Sequence, residues 1–268
     1  MSTDSAASIR RANVIGVGLI GGSIALGLRE QGWHVTGQDN AVAATDLAME
    51  LDVLDAVGFD EGAEITFVAT PVGNVVEAAQ AALAGSSGVV TDVGSVKADI
   101  AATITNPRFV AGHPMAGSEQ DGVSGARAGL FSGATWVMTP TESTSDEAYT
   151  TVRQVVRMLG AEVVSMEPLR HDEAVARISH VPHITAATMM VMAAGSGFEN
   201  DAVLRLAAGG FRDMTRIAAG HPAIWLDICE QNKTQIVDSL DDLIRELQNA
   251  RGMVDRNDRE QLRSLLTG

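Results

Sequence analysis

The feature that most narrows the fold of this chain is the run Ala12–Gly21, ANVIGVGLIG. A short apolar stretch leads directly into Gly16-Val17-Gly18-Leu19-Ile20-Gly21, and the pattern then turns helical towards Glu30. In such a turn the first glycine makes the tight bend, the second lets backbone approach a pyrophosphate, and the third packs helix on strand. The helix start adds unpaired N–H groups and a positive dipole end. Glycine-rich turns are common, so the hexapeptide alone is weak. Its context is stronger: a second apolar run ends in Asp39, 23 residues after Gly16 (39 − 16), where a carboxylate can accept from both ribose hydroxyls. The bland alternative is a tight turn and a solvent-facing aspartate. With no arginine beside it, Asp39 would repel a 2′-phosphate, so NAD is expected over NADP. Gly16, Gly18, Leu19, Ile20, Gly21 and Asp39 are therefore candidate cofactor ligands.

The alternation continues. His34–Gln38, Ile65–Ala69, Gly88–Asp92, Arg108–Ala111, Ala134–Thr139 and Glu162–Ser165 read as further strands, with helical segments such as Gly22–Glu30 and Val75–Leu83 between them. Continuous β-branched runs mark strands buried on both faces of a parallel sheet. After about Pro168 the strand runs stop. His183–Ala194 (HITAATMMVMAA) is apolar on nearly every face and is expected to be a buried helix. Within Ile224–Leu247, the residues Ile236, Val237, Leu240, Leu243, Ile244 and Leu247 form a helical stripe. The expected fold class is α/β: a Rossmann-type, mostly parallel sheet domain over 1–166, followed by an all-α domain over 167–268.

Composition removes several function classes. With a net charge of −15 and only 4% aromatic residues, the chain suits neither phosphate contacts nor base stacking, so no nucleic-acid partner is expected. Cys229 is the only cysteine, which excludes an intramolecular disulfide and a zinc–thiolate cage. It reads as a buried, inert thiol. MSTDSAASIRR lacks the apolar stretch of a signal peptide, and no apolar run reaches the roughly 20 residues of a membrane span. A cytoplasmic location and no membrane partner are expected.

In an open α/β sheet, ligands bind beyond the carboxyl ends of the strands, at the switch in strand order. The glycine turn, Asp39, Thr70-Pro71, Gly94-Ser95 and His113 each follow the end of a different predicted strand. Any one is an ordinary turn residue; together they line one rim. Thr70, Pro71 and Gly94 join the candidate cofactor contacts. His113 and Ser95 are the members able to do proton chemistry. His113 lies in AGHPMAGSEQDG, too poor in apolar bulk for core and too rich in glycine for helix.

The set VIGVGLIGGS, VATPV, TDVGSVK, GHPMAGSE, SHVPH and FRDMTRIA, in this order along nearly the whole chain, resembles the prephenate/arogenate dehydrogenase family of tyrosine biosynthesis. The resemblance implies an NAD-dependent oxidoreductase acting on a cyclohexadienol that bears two carboxylates. It implies His113 as proton acceptor, with Ser95 hydrogen-bonded to the substrate hydroxyl and to the imidazole. It also implies Arg216 as a carboxylate ligand, Glu119 at the entrance, and a homodimer joined through the helical domains. Glu119 reads equally as a solvated loop carboxylate, and Arg212 as a partner for solvent or a glutamate. His183, just after Pro182, is expected near a helix N-terminus, a favourable place for a substrate anion. His180 and His183 lack a third ligand at suitable spacing, so no metal is expected. The chain stops at Gly268, and no added mutase or regulatory domain is expected.

Two rivals remain. A β-hydroxyacid dehydrogenase or imine reductase would carry a catalytic lysine in the helical half, where the only lysine is Lys233 in EQNKTQ. A non-catalytic NAD sensor would have no use for Ser95, His113, His183 and Arg216 together. Nothing in the sequence separates prephenate from arogenate. Trp33, Trp136 and Trp225 read as core or interface fillers, and Met189, Met190 and Met192 as packing.

Overall fold

Each expected apolar run becomes a strand. The computed structural model describes residues 9–117, 120–195, 205–219 and 222–267. In chain order its strands are β1 (Arg11–Ile15), β2 (His34–Gln38), β3 (Ala56–Val57), β4 (Ile65–Val68), β5 (Val89–Asp92), β6 (Phe109–Pro114), β7 (Thr135–Thr139) and β8 (Glu162–Ser165). Only β3 went unforeseen, because two residues are too few to leave a period. The sheet order is β3-β2-β1-β4-β5-β6-β7-β8. Strands β1 to β6 pair in parallel, β7 runs antiparallel to β6, and β8 is parallel to β7. The chain leaves β1 for β2 on one side and returns to β4 on the other. That reversal is the switch point where a crevice opens above the carboxyl ends.

Helices α1 (Leu19–Glu30), α2 (Val42–Glu50), α3 (Val75–Gly85), α4 (Ala98–Thr103) and α5 (Asp146–Met158) alternate with the strands. The start of α5 shows the local logic: the Ser145 hydroxyl accepts the Ala148 N–H, and Asp146 and Glu147 sit in the first turn. Both sheet faces are apolar because side chains alternate. In β4, Ile65 and Phe67 join one buried cluster with Val14, Leu28 and Trp136, while Val68 joins another with Val75, Ile100 and Phe109. Burying a side chain of this size contributes about 1.5–3 kcal/mol. This is why the strands read as unbroken apolar runs.

One polar pair lies inside that packing. Asp92, the last residue of β5, and Lys97 are both fully buried and ion-paired. Asp92 also accepts the N–H of Gly94 at 2.8 Å and of Gly112 in β6 at 3.1 Å. Burial pushes the Lys97 ammonium below its usual range, and Asp92 and Asp172 oppose that fall. The pair thus ties the turn after β5 to the neighbouring strand.

The chain divides into two compact units at Asp172/Glu173. The sheet belongs to the first, and α6 (Pro168–Val175) spans the division. The second is helical: a π-helical stretch Ala176–His180, then α7 (Val181–Ala194), α8 (Gly209–Thr215), a 3-10 turn Arg216–Ala219, α9 (Pro222–Gln231), α10 (Lys233–Asp255) and α11 (Arg259–Thr267). Its own apolar cluster is small, with Ala176, Ile228 and Ile236 at the centre and Ile184, Trp225, Cys229 and Leu240 around them. Two expectations need correction. Helix α7 is not buried in the single chain: only Val181, His183 and Ala186 are, while Val191 and Met192 are 71% and 69% exposed. An all-round apolar pattern does not by itself place a helix inside its own domain. The stripe-bearing helix also starts at Lys233 rather than Ile224. The break falls at buried Asn232, whose amide bonds His180 Nδ1 at 3.2 Å.

Removing one partner of a buried ion pair strands the other charge and costs about 3–5 kcal/mol. Lys97→Met should lower unfolding stability by that amount in urea titrations. Asp92→Asn combined with Lys97→Met should recover part of the loss, since the uncompensated charge is gone.

Candidate active site

The glycine turn behaves as its spacing requires. Gly16 has φ +93°, and a β-carbon there would overlap the Ala69 carbonyl. A β-carbon at Gly21 would overlap the Gly16 carbonyl and lie 3.0 Å from Val14 Cγ1, so this glycine sets the close approach of α1 to β1. Around Gly18 the space is open: nothing lies within 4 Å of a β-carbon placed there. Gly18 is also the N-cap of α1 and supplies no side chain to its first N–H groups, which begin at Leu19 and Ile20.

Asp39, just beyond β2, accepts the Val17 N–H at 2.8 Å on one carboxylate oxygen and the Ala41 N–H at 2.9 Å on the other. Each oxygen keeps a lone pair for a ribose hydroxyl. Thr70 Oγ1, after β4 and beside Pro71, is buried without a hydrogen-bond partner among the described residues. An open helix N-terminus, an anchored carboxylate and an orphaned hydroxyl suit a dinucleotide along Gly16–Gly21, Asp39 and Thr70-Pro71.

At the next strand ends the pattern continues. Gly94 sits over the Asp92–Lys97 pair, where a β-carbon would be 3.0 Å from Asp92 Oδ2. Ser95 follows it directly, partly exposed. His113 lies within β6 rather than after it, opposite Val137. The apolar run in the sequence stops at Ala111, and the parallel pairing with β5 ends at Val110. Antiparallel pairing with β7 carries the strand on to Pro114, so the imidazole stands on a strand and not in a loop. Gly112 beside it has no room for a side chain, since a β-carbon would lie 2.9 Å from Trp136 Nε1.

The His113 ring is half-buried, and its Nδ1 is 2.8 Å from His171 Nε2, the two rings edge to face. No hydrogen bond joins it to Ser95 among the described residues. His171 and Asp172, both buried, stand behind this ring, and sequence reading missed them. The histidine has its own carboxylate neighbour, with His171 Nδ1 2.7 Å from Asp172 Oδ1. Asp172 in turn accepts the Lys97 and Ala98 N–H groups at 2.8 Å each, which caps α4. The adjacent His-Asp in LRHDEA was the only available signal, and it looks like any helical surface pair.

The helical unit presents Arg216 at the head of the 3-10 turn, exposed, with Arg212 also exposed one turn earlier. His183 departs from expectation. The helix runs through Ala176–His180 into α7, so His183 has no open helix N-terminus beside it. It is buried, stacked on the Trp225 indole at a 3.5 Å centroid distance, and hydrogen-bonded to the Ile217 backbone. Burial pushes its pKa down, which keeps the ring neutral. It braces the turn that carries Arg216. His180 and His183 both pack on Trp225, and no group of three metal-ligating side chains occurs among the described residues. Cys229 is partly buried, and burial raises its thiol pKa, away from reactivity. Trp33 and Trp136 are core residues. Glu119 lies outside the described residues.

A doubly wound sheet with an open glycine turn, an anchored carboxylate and an imidazole on the same rim defines a dinucleotide-dependent oxidoreductase. Residues 24–165 match the family of prephenate dehydrogenase nucleotide-binding domains, and residues 167–268 that of prephenate dehydrogenase dimerization domains. A prephenate dehydrogenase of Bacillus subtilis is 39% identical, over 92% of this chain and 71% of the relative. Prephenate dehydrogenase of Aquifex aeolicus, solved in complex with hydroxyphenyl propionate and NAD+, superposes with a TM-score of 0.91 at 28% identity, over 98% of this chain and 96% of the other. An arogenate dehydrogenase of Synechocystis gives 0.82 at 31% identity, over 96% of each chain. The chain belongs to the prephenate dehydrogenase family and is an NAD-dependent oxidoreductase.

If Asp39 holds the adenosine ribose, Asp39→Ala should weaken NAD binding and narrow the preference for NAD over NADP. Fluorescence titration with both reduced cofactors measures this. An unchanged NAD/NADP affinity ratio in the variant would refute the assignment.

Proposed function

We propose that this enzyme oxidatively decarboxylates prephenate to 4-hydroxyphenylpyruvate with NAD, with residues 1–166 holding the cofactor and 167–268 the substrate carboxylates. The observation that carries this reading is the His113 imidazole, fixed on a strand at the cofactor rim of a chain of this family. When bound, NAD supplies the hydride acceptor. The substrate hydroxyl must lose its proton as the carbinol hydride leaves and the ring carboxylate departs as CO₂. Aromatisation drives the reaction, so the protein has to orient the substrate and take one proton. His113 accepts it, as an imidazole with a pKa near 6.5 is suited to do at neutral pH. Ser95 hydrogen-bonds the same hydroxyl, the role that its place beside Gly94 supports. Arg216 binds a carboxylate in the charge-assisted manner of a guanidinium, and His183 holds its turn through Ile217. Glu119 keeps the role that the family resemblance implies for it.

The same family supports a homodimer through the helical unit. Val191, Met192, Leu226 and Leu247 leave apolar surface exposed on α7, α9 and α10 of the single chain. A patch of that kind marks an interaction surface. We place the enzyme in the cytoplasm: no helix among the described residues is long and apolar enough to cross a membrane.

Prephenate plus NAD should give absorbance at the reduced-nicotinamide wavelength. Turnover of arogenate and not prephenate would move the assignment to the Synechocystis activity. His113→Asn should lower kcat about 10²–10⁴-fold with KM nearly unchanged, and should abolish the rise of kcat with pH through the histidine range. Arg216→Ala should act mainly on KM, by about 10- to 150-fold for one charge-assisted pair. An asparagine variant with parental kcat and an intact acid limb would mean that the base is elsewhere. Light scattering at micromolar concentration should give twice the 28.0 kDa chain mass, and a monomer would rule out the dimer.

A further inference from the structure

The His113 imidazole is one end of a hydrogen-bonded chain whose other end can only accept. Asp172 takes the N–H of Lys97 on Oδ1 and that of Ala98 on Oδ2, and His171 Nδ1 lies 2.7 Å from Oδ1. A carboxylate accepting two backbone donors brings no hydrogen to the third contact, so His171 carries its proton on Nδ1. The Nε2 of a neutral His171 is then an acceptor, 2.8 Å from Nδ1 of His113. That short contact needs one hydrogen, and it comes from His113. The ring is therefore the Nδ1–H tautomer, and its basic lone pair is on Nε2. A neutral imidazole in water prefers the opposite form, so the environment has reversed the choice.

We propose that His171 and Asp172 are positioning residues that lock His113 in the Nδ1–H tautomer and so present Nε2 to the substrate hydroxyl. The proposal rests on reading His113 as the proton acceptor. The same chain serves the proton transfer itself. As the substrate O–H bond breaks, its electron pair stays on oxygen, the proton forms an N–H bond at Nε2, and His113 becomes an imidazolium. Its Nδ1–H then donates to His171 with the Asp172 carboxylate behind it, an arrangement that stabilises the new charge. His171 and Asp172 are only 1% and 3% exposed, so water screens this stabilisation little. Among the described residues, the buried Lys97–Asp92 pair also lies close by, its two charges opposed. His171 is held through Asp172 to the backbone at Lys97, and His113 through Gly112 to Asp92, so both rings hang from the same buried ion pair.

The test joins NMR of the full chain labelled with ¹⁵N-histidine to steady-state kinetics. At about pH 7.5, above the histidine range, the His113 signals, assigned by their loss in His113→Asn, should show a protonated Nδ1 and a bare Nε2. In His171→Phe, which keeps a ring but no acceptor, His113 should revert to the Nε2–H form. Its kcat should fall about 10²-fold or more, with KM for prephenate within about threefold of the parent. The acid limb of kcat should move to lower pH by about one unit, because the imidazolium has lost its support. His171→Gln, whose side-chain carbonyl can accept from Nδ1–H, should recover part of the rate. Finding His113 as the Nε2–H tautomer in the parent overturns the proposal, as does a His171→Phe enzyme with parental kcat and an unmoved acid limb. If the phenylalanine variant does not fold, the parent spectrum alone decides the tautomer. A parent that turns over neither prephenate nor arogenate refutes the functional reading instead, and the spectrum still decides the lock.

Discussion

The candidate site depends on a lysine and an aspartate sealed where water cannot reach them. Lys97 and Asp92 each have 0% exposed side chains, and each would be costly there without the other. Their pairing brings the turn after β5, with Gly94 and Ser95, against the end of β6, with Gly112 and His113. Asp172 joins through the backbone of Lys97 and Ala98, and His171 closes the loop back to His113. A ring of buried polar contacts thus surrounds the imidazole. Every member is satisfied by another, the condition under which a buried network fixes a geometry rather than weakening a core.

The cofactor side is held differently, by absence of side chains. Gly16 and Gly21 let the first helix approach the first strand, and Gly18 leaves the approach to its N-terminus open. Asp39 is fixed by two backbone N–H groups before any ligand arrives. A carboxylate already oriented loses little conformational freedom on binding. In both halves of the rim the anchoring carboxylates, Asp39, Asp92 and Asp172, are themselves held by main-chain N–H donors.

The helical unit is organised around Trp225. His183 stacks on its indole, His180 meets it edge-on, and the Asn232 amide bonds His180 Nδ1. The histidines of SHVPH thus both pack on Trp225, and His183 also bonds the Ile217 backbone beside Arg216. Sequence reading took His183 for an anion ligand because Pro182 looked like a helix start. The helix instead begins at Pro168 and passes through a π-helical stretch, which a local pattern does not announce.

Seven strands, their mostly parallel arrangement, the glycine turn with Asp39 and the change to helix after Pro168 were all legible along the chain. Each rests on local periodicity or on residues close in sequence. The rim position of His113, Ser95, Thr70 and Gly94 was legible too, because a parallel sheet sends every strand's carboxyl end to one edge. What tertiary structure alone decided is what lies behind that edge. His113 belongs to a strand only because β7 pairs antiparallel with it. Lys97 meets Asp92 across a turn, and His171 with Asp172 reaches His113 from 58 residues away. Contacts of that separation leave no period in a sequence. They exist because folding excludes water from one place and leaves each buried charge and ring nitrogen to find its partner there.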